Sequence, residues 1–325
     1  MRLCGIEAAA DGCTDAPDAL VCNVKKPLFF LNDNMTDWMN NPIDPMSGMS
    51  YTQTGAGDTV VLVHGALADA RMWQPHQALL AKRWRTVAVT LRYHVGSEDP
   101  RPSPTRAAPA PFGISTHAGD LATFIEGMER GPVHLVGWSY SAHAALFLAC
   151  HRPQLLRSVF VYEPGFPTYV ADPEALAAFE TDAARMYGPL GAAVNSGDLE
   201  RAVEVLMDAS GQRPGYFRDQ PAHRRQIQRD NAHTLPLLMT QAPPPAITAE
   251  QLRSVQVPVC VAQGAQTRPV FGVVARAAAQ AMPWAHHLVI EDAHHMWPDE
   301  QPAAFCDALE SFWSAEIAPA RAGAR

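Results

Sequence analysis

One serine of this chain stands where covalent chemistry is expected. Ser139 lies in the run Gly137-Trp138-Ser139-Tyr140-Ser141, between an apolar segment typical of a buried strand and an alanine-rich segment typical of a helix. A serine on a tight strand-to-helix turn projects its hydroxyl above the sheet, and small residues two before and two after it prevent clashes with neighbouring backbone. This context favours Ser139 as a nucleophile over the simpler interpretation, a helix N-cap.

Two backbone N–H groups are expected beside this serine. The segment VVLVHGAL (60–67) predicts a second strand that ends near His64 and is followed by a loop. In sites of this kind, the negative charge that develops on a substrate carbonyl oxygen is held by the N–H after the nucleophile and by an N–H of such a loop. Tyr140 and Ala66 occupy these two positions, whereas His64 is interpreted as a structural residue of the turn.

A nucleophilic serine also needs a base, which is usually a histidine. Of the 13 histidines, His294 and His295 fall in the segment 291–305, which follows the last predicted strand and precedes the last predicted helix, where such a base is expected. A metal site that adds His286 and His287 is disfavoured, because adjacent residues of a strand point to opposite faces. We therefore expect no metal at these residues.

The rest of the chain predicts the elements that position these residues. Short runs rich in β-branched residues alternate with longer helical patterns, which is typical of an α/β fold with a mainly parallel sheet flanked by helices. Because each run is continuously apolar, every strand is expected to be buried on both faces. The strands are predicted at 59–64, 86–91, 133–138, 158–163, 257–262 and 287–292. The helices are predicted at 72–82, 116–130, 140–151, 269–282 and 302–316.

One long interval interrupts this alternation. Residues 165–255 have helical character without a convincing strand, and they are too many for a simple connection. We interpret them as a helical cap inserted into an α/β core formed by residues 48–164 and 256–325. Residues 1–47 show no clear period and are treated as an N-terminal extension of unknown structure.

The composition restricts the classes of function. The 33 acidic and 25 basic side chains give a net charge of −8, which is unfavourable for a nucleic-acid partner because such partners need basic patches. No apolar run reaches the ~18 residues of a membrane span, and the first residues lack the pattern of a secretory signal. We expect a cytoplasmic protein that acts on a small-molecule substrate, without a nucleic-acid or membrane partner; the oligomeric state is not indicated.

Three motifs together resemble the α/β-hydrolase superfamily over roughly residues 50–316. The resemblance rests on VLVHG (61–65), GWSYSA (137–142) and AHHMWPDEQPAAF (293–305). The last segment is similar to the family's GAGHM…E-P-F run. This match implies that His295 stands at the family's catalytic histidine, and that His294 stands where a glycine is usual.

The resemblance also points to the third catalytic group. The family's acid usually follows the seventh strand, but the corresponding turn here, GAQTRPVFG (264–272), contains no Asp or Glu. The family's alternative is an acid directly after the sixth strand, where the predicted strand 158–163 ends in Glu163; zearalenone-type lactonases are similar in this respect. The order Ser139, Glu163, His295 follows the family's order of nucleophile, acid and base. The alternative for Glu163 is a carboxylate at the hinge of the cap.

The resemblance implies that no cofactor is needed, and it implies hydrolysis of an ester or lactone of a small, largely apolar substrate through an acyl-enzyme. Because the expected nucleophile is a serine, the haloalkane dehalogenase and epoxide hydrolase branches, which use aspartate, are disfavoured. Trp138, Met296 and Trp297 flank the expected catalytic positions and are candidate substrate-binding residues. A C–C bond hydrolase or lyase with the same three residues remains an alternative, as does a receptor-like homologue with negligible turnover.

Overall fold

The computed structural model describes residue 44, residues 47–96 and residues 110–322, with side chains up to residue 315. The N-terminal extension predicted for residues 1–47 lies outside this part of the chain, apart from residues 44 and 47. The described residues form a seven-stranded sheet with twelve α-helices.

The sheet is parallel except at one edge. The strands are β1 (Ser50–Thr54), β2 (Thr59–Val63), β3 (Arg85–Thr90), β4 (Val133–Trp138), β5 (Leu156–Tyr162), β6 (Val259–Gly264) and β7 (His286–Ile290). Their order is β1-β3-β2-β4-β5-β6-β7; β1 is antiparallel to β3, and all other neighbours are parallel. The predicted fold class, a mainly parallel sheet flanked by helices, is confirmed.

Helices connect the strands and cover the sheet. They are α1 (Gln74–Leu80), α2 (Ile114–Gly127), α3 (Tyr140–His151), α4 (Pro173–Asn195), α5 (Leu199–Ser210), α6 (Tyr216–Asp219), α7 (Ala222–Asp230), α8 (Thr234–Thr240), α9 (Ala249–Ser254), α10 (Pro269–Ala281), α11 (Trp297–Glu300) and α12 (Pro302–Ala322). Short 3₁₀ helices span Ala70–Trp73 and Pro153–Leu155. The side chains of β2 and β4 are all buried, as expected for strands covered on both faces.

Both edges of the sheet differ from the sequence expectation. β1 was not predicted, because its polar sequence SYTQT has no apolar run. The expectation that every strand is buried on both faces is wrong for β7, where His286, His287 and Val289 are exposed. β7 is the last strand of the sheet, so its side chains have no neighbouring strand on one side to cover them.

Six helices, α4 to α9, lie between β5 and β6. Asp182 of α4 links this insertion to the residues after β6. Each of its two carboxylate oxygens accepts a hydrogen bond from the guanidinium of Arg268 at 2.8 Å, and one of them also accepts the N–H of Val270 at 3.0 Å. Both members of the ion pair are largely buried, and each charge is compensated by hydrogen bonds as well as by the other charge.

Among all described helices, none combines the length and apolar character required to cross a membrane.

The strand register brings the expected functional positions together at the carboxyl ends of the strands. Val63 pairs with Gly137, and Trp138 pairs with Tyr162. The residues that follow β2, β4 and β5 therefore lie side by side at the carboxyl ends of the strands, which is where ligands bind in open α/β sheets.

Candidate active site

Ser139 occupies a strained turn between β4 and α3. Its backbone has φ 58° and ψ −114°, a conformation that side chains rarely adopt and that functional sites can impose. Its N–H donates to the carbonyl of Tyr162 at 2.9 Å, which ties the turn to β5. A Cβ on Gly137 would lie 2.9 Å from both Cα of Ala142 and the carbonyl oxygen of Ser141, so only glycine fits there. This geometry agrees with the turn that the sequence predicted.

Ser141 stands where the related motif usually has glycine, and its hydroxyl has its own partners. The fully buried Oγ donates to the carbonyl of Val63 at 2.8 Å and accepts the N–H of Trp138 at 3.0 Å. A buried hydroxyl without partners would be unfavourable, whereas here it links the ends of β2 and β4. The departure from glycine is therefore accommodated.

Ser139, His295 and Glu163 form a continuous hydrogen-bonded chain. Nε2 of His295 lies 3.0 Å from Oγ of Ser139, and Nδ1 lies 2.7 Å from Oε2 of Glu163. The ring of Phe271 stacks on that of His295 with centroids 3.5 Å apart and planes at 3°, which fixes the orientation of the imidazole. Trp138 supports the same residue by donating its indole N–H to the carbonyl of His295 at 3.0 Å.

The buried carboxylate of Glu163 is held on several sides. Oε1 accepts the N–H of Gly264 at 2.9 Å, and Oε2 accepts the hydroxyl of Thr267 at 2.8 Å in addition to the contact with His295. A buried charge is tolerated only when it is paired and hydrogen-bonded, as it is here. Thr267 lies in the turn where the family's acid is usual, and no sequence signal indicated that its hydroxyl would contact Glu163.

The protonation state of His295 follows from its surroundings. Burial lowers the pKa of His295 below its ordinary value of 6.5, although the hydrogen bond and the charge of Glu163 oppose this shift. The ring is therefore neutral at neutral pH. Since a carboxylate only accepts, the single ring proton lies on Nδ1, and Nε2 is left free to accept the proton of Ser139.

The structure brings His295 to Ser139, and it directs His294 elsewhere. Nε2 of His294 lies 3.3 Å from Oε2 of Glu300, and its Nδ1 accepts the N–H of Met296 at 3.3 Å. The two neighbouring histidines therefore have different surroundings, and only His295 is positioned to act as a base on Ser139.

The loop after β2 passes close to Ser139. A Cβ on Gly65 would lie 3.3 Å from Cβ of Ser139, and the following residue, Ala66, lines the same cavity as Ser139 and Tyr140. Within the described residues, no backbone carbonyl accepts the N–H of Ala66 or Tyr140. Both N–H groups are thus available to a ligand, and that of Tyr140 lies at the positive end of the α3 dipole.

His64 is structural, as predicted. Its Nδ1 donates to the carbonyl of Gly65 at 2.7 Å and its Nε2 accepts the N–H of Leu91 at 3.0 Å, so neither nitrogen is available for proton transfer. Burial lowers the pKa of His64 to about 3, which keeps the ring neutral.

A cavity of about 380 Å³ opens above Ser139 and His295. The insertion contributes apolar side chains to its wall, among them Phe179, Met186, Leu206, Met207, Ile227 and Leu238. Trp138 and Met296 also line the cavity, but Trp297 does not: it is buried and packs against Tyr162 and Phe305, with ring centroids 5.4 and 5.3 Å apart. The expectation that Trp297 contacts substrate is therefore corrected, because Trp297 begins α11 and its ring packs into the core.

One charged pair in the cavity wall was missed by the sequence analysis. Nε of Arg224, on α7, lies 3.2 Å from Oδ1 of Asp299, and the guanidinium also donates to the carbonyl of Asp299. Burial raises the pKa of Asp299 to about 6. The two residues are far apart in the sequence, and nothing in their local patterns predicts the contact.

Among the described residues, no group of three or more His, Cys, Asp or Glu is arranged to hold a metal ion.

Comparison with known proteins identifies the family. A model of the alpha/beta hydrolase family matches residues 60–308, so the chain belongs to this family. It is 25% identical over 278 residues to the 2-(acetamidomethylene)succinate hydrolase of Mesorhizobium japonicum, an alignment that covers 81% of this chain and 91% of that protein. This chain is likewise a hydrolase of the α/β-hydrolase family.

Solved structures support the same fold. The enol-lactonase from Burkholderia xenovorans LB400 superposes with a TM-score of 0.63 at 18% identity, covering 84% of this chain and all of that one (100%). A thermophilic esterase from Thermogutta terrifontis gives a TM-score of 0.57 at 22% identity, with 83% and 93% of the two chains covered. At these identities the likeness concerns the fold.

Proposed function

We propose that this hydrolase cleaves a carboxylic ester or lactone of a small, largely apolar substrate through an acyl-enzyme. Ser139 is the nucleophile, His295 the general base and Glu163 the acid that orients it. The single observation that carries this proposal is the hydrogen-bonded chain from Oγ of Ser139 through His295 to a fully buried, fully hydrogen-bonded Glu163.

The geometry supports a two-step mechanism. Oγ of Ser139 attacks the substrate carbonyl carbon while its proton moves to Nε2 of His295, and Glu163 stabilises the resulting imidazolium. The carbonyl oxygen becomes negatively charged and accepts the N–H groups of Ala66 and Tyr140. His295 then returns the proton to the leaving alkoxide, which departs as the alcohol or stays attached in a lactone. A water molecule, activated by His295, hydrolyses the acyl-enzyme.

The cavity supports the proposed substrate class. Its walls are mainly apolar, and Trp138 and Met296 contribute to them beside Ser139. We further propose that the insertion, residues 165–255, acts as a cap over a core of residues 48–164 and 256–325. The support is that helices α4, α5, α7 and α8 of the insertion supply much of the cavity wall.

A panel of p-nitrophenyl esters, lactones and thioesters of varied acyl length, with β-diketones as C–C substrates, tests the proposal. Steady-state turnover is expected for at least one ester or lactone class, and for a p-nitrophenyl ester it should be preceded by a burst of one p-nitrophenol per active site. A lactone gives no such burst, because its alcohol stays attached to the acyl-enzyme. A burst without further turnover would indicate a receptor-like protein. Turnover of C–C substrates, with esters and lactones left untouched, would contradict the proposed bond specificity.

Glu163→Gln is expected to lower kcat by ~10²–10⁴-fold while preserving the fold. The glutamine amide cannot carry the charge that stabilises the imidazolium, and its NH₂ group disturbs the tautomer of His295. Asp292→Asn is the matched control, because Asp292 is near His295 in sequence but is exposed to solvent. Steady-state kinetics with circular dichroism measures both effects. Equal losses in the two variants would contradict the role of Glu163.

The pH dependence of kcat/KM is expected to reflect the lowered pKa of His295. Because the base must be neutral, activity falls as pH drops through that pKa, so the midpoint of the acid limb should lie below 6.5. Glu163→Gln removes the interactions that raise this pKa, so its residual activity should show the limb at still lower pH. A limb that moves upward in this variant would contradict the assigned contact.

A further inference from the structure

Three side chains outside the proposed mechanism connect the protein interior with the cavity. Nδ1 of His117, on α2, lies 2.9 Å from the phenolic oxygen of Tyr140, and this oxygen lies 3.5 Å from Oε1 of Gln241. Tyr140 and Gln241 both line the cavity that contains Ser139. The proposed mechanism uses the backbone N–H of Tyr140 and leaves its side chain without a role.

The tautomer of His117 is fixed by its neighbours. Its Nε2 lies 3.1 Å from the carbonyl oxygen of Arg92, and since a carbonyl only accepts, Nε2 carries a proton. Burial lowers the pKa of His117 to about 3, so the ring is neutral and has no second proton. Nδ1 is therefore an acceptor.

This tautomer determines the direction of the hydrogen bond from Tyr140. The phenol has one proton, which burial helps it to keep by raising the pKa of Tyr140, and His117 Nδ1 at 2.9 Å is a closer acceptor than Gln241 Oε1 at 3.5 Å. The proton of Tyr140 thus points to His117. The phenolic oxygen can offer only lone pairs to other groups.

The side-chain oxygen of Gln241 is an acceptor that faces the phenolic oxygen of Tyr140. Its Nε2 donates to the carbonyl of Leu238 at 3.0 Å, which turns Oε1 towards Tyr140. The opposite amide orientation would set Oε1 against the carbonyl of Leu238. Two acceptor oxygens, here named the acceptor pair, therefore face each other in the cavity wall, and no side chain or N–H among the described residues donates to either beyond these contacts.

We propose that the acceptor pair, Tyr140 Oη and Gln241 Oε1, binds a neutral hydrogen-bond donor of the substrate, a hydroxyl or an amide N–H. The inference rests on the proposed function and narrows its substrate class to esters or lactones that carry such a donor. A neutral donor fits because both oxygens belong to uncharged groups in a largely apolar wall. Tyr140 is buried and Gln241 is partly buried, so an analogue that fills the cavity without offering a donor leaves these acceptors unpaired and binds less tightly.

Matched esters test the inference. One set is p-nitrophenyl hexanoate and its 2-, 3- and 6-hydroxy derivatives; the other is p-nitrophenyl N-acetyl-β-alaninate and p-nitrophenyl 5-oxohexanoate, which differ by N–H against CH₂. After division by each ester's alkaline hydrolysis rate, kcat/KM is expected to favour at least one donor-bearing ester by about tenfold or more. The absence of any such preference would overturn the inference, although ester turnover itself would still support the proposed function.

Gln241→Met removes one acceptor with little change in volume, so the preference should fall by about tenfold in this variant. Leu238→Met is the matched control, because Leu238 also lines the cavity close to Gln241 in sequence but has no hydrogen-bonding side chain. It is expected to leave the ratio between paired esters unchanged, whatever its effect on their absolute rates. A preference that survives in Gln241→Met would overturn the role of the acceptor pair.

A binding experiment separates this inference from turnover. In the Ser139→Ala protein, isothermal titration compares N-butylacetamide with butyl acetate, which has the same shape but no N–H. The amide is expected to bind about fivefold more tightly, and Gln241→Met should remove the difference. Equal binding of both ligands would contradict the inference even if no ester proved to be a substrate.

Discussion

Replacing Ser139 with alanine is expected to lower kcat for the preferred ester or lactone by about 10⁴-fold or more. The substitution removes the only oxygen that lies within hydrogen-bond distance of Nε2 of His295 among the described residues, and with it the acyl-enzyme. Residual catalysis would come from substrate binding and the two backbone N–H groups. Single-turnover and steady-state kinetics on purified protein measure the loss.

Ser141→Gly is the matched control for this variant. Ser141 lies two residues further along the chain and is buried, but its hydroxyl contacts the carbonyl of Val63 and makes no contact with His295. We expect kcat to change little, while the loss of two buried hydrogen bonds, with the carbonyl of Val63 and the N–H of Trp138, lowers the free energy of unfolding by about 2 kcal/mol. Wild-type turnover in Ser139→Ala would show that the nucleophile is another group.

His295→Ala is expected to produce a loss of the same order, about 10⁴-fold in kcat, because no other base reaches Ser139 in the described structure. Without the imidazole, the hydroxyl of Ser139 keeps its proton at neutral pH, and the buried carboxylate of Glu163 loses the charge partner that forms during the reaction. Kinetics at several pH values measures the effect, and thermal unfolding confirms that the variant is folded.

His294→Ala is the matched control, since it removes the same ring one residue away. The His294 ring contacts Glu300 and the N–H of Met296, and it has no contact with Ser139. This variant should retain a substantial fraction of the activity. The reverse result, with His294→Ala inactive and His295→Ala active, would contradict the arrangement described for the two histidines.

The local parts of the site could be predicted from the sequence. The turn at Ser139 depends on a strand, a small residue and a helix that are contiguous in the chain, so their pattern is visible without a structure. The choice of His295 over His294 required the resemblance to a family, because adjacent residues differ only in the direction of their side chains. Glu163 was predicted as the acid because the turn after β6, where the family's acid is usual, contains no acidic residue.

The parts that depend on distant side chains could not be predicted. The hydroxyl of Thr267, which follows β6, donates to Glu163, which follows β5. Arg224 of the insertion forms an ion pair with Asp299, which lies in the segment after His295. Their sequence surroundings are those of ordinary polar positions. For Trp297, in contrast, a contact was predicted that the structure does not show. Its proximity in sequence to His295 suggested that it binds substrate, but its ring packs into the core.

Two predictions about the outermost strands were wrong for a related reason: β1 was not predicted, and β7 was predicted to be buried on both faces. Apolar runs indicate strands, but they do not indicate which strand is outermost. β7 is an apolar run at an edge, and β1 is an edge strand without an apolar run.

Peptide mapping after reaction with a fluorophosphonate tests the central claim, that Ser139 is an activated nucleophile, most directly. Phosphonylation of one group per chain is expected, in the tryptic peptide 131–157, and fragmentation should assign it to Ser139 rather than Tyr140 or Ser141. Glu163→Gln should slow the labelling, because His295 is then a poorer base. Label on any other residue, or ester turnover by a chain that the probe does not modify, would contradict the account.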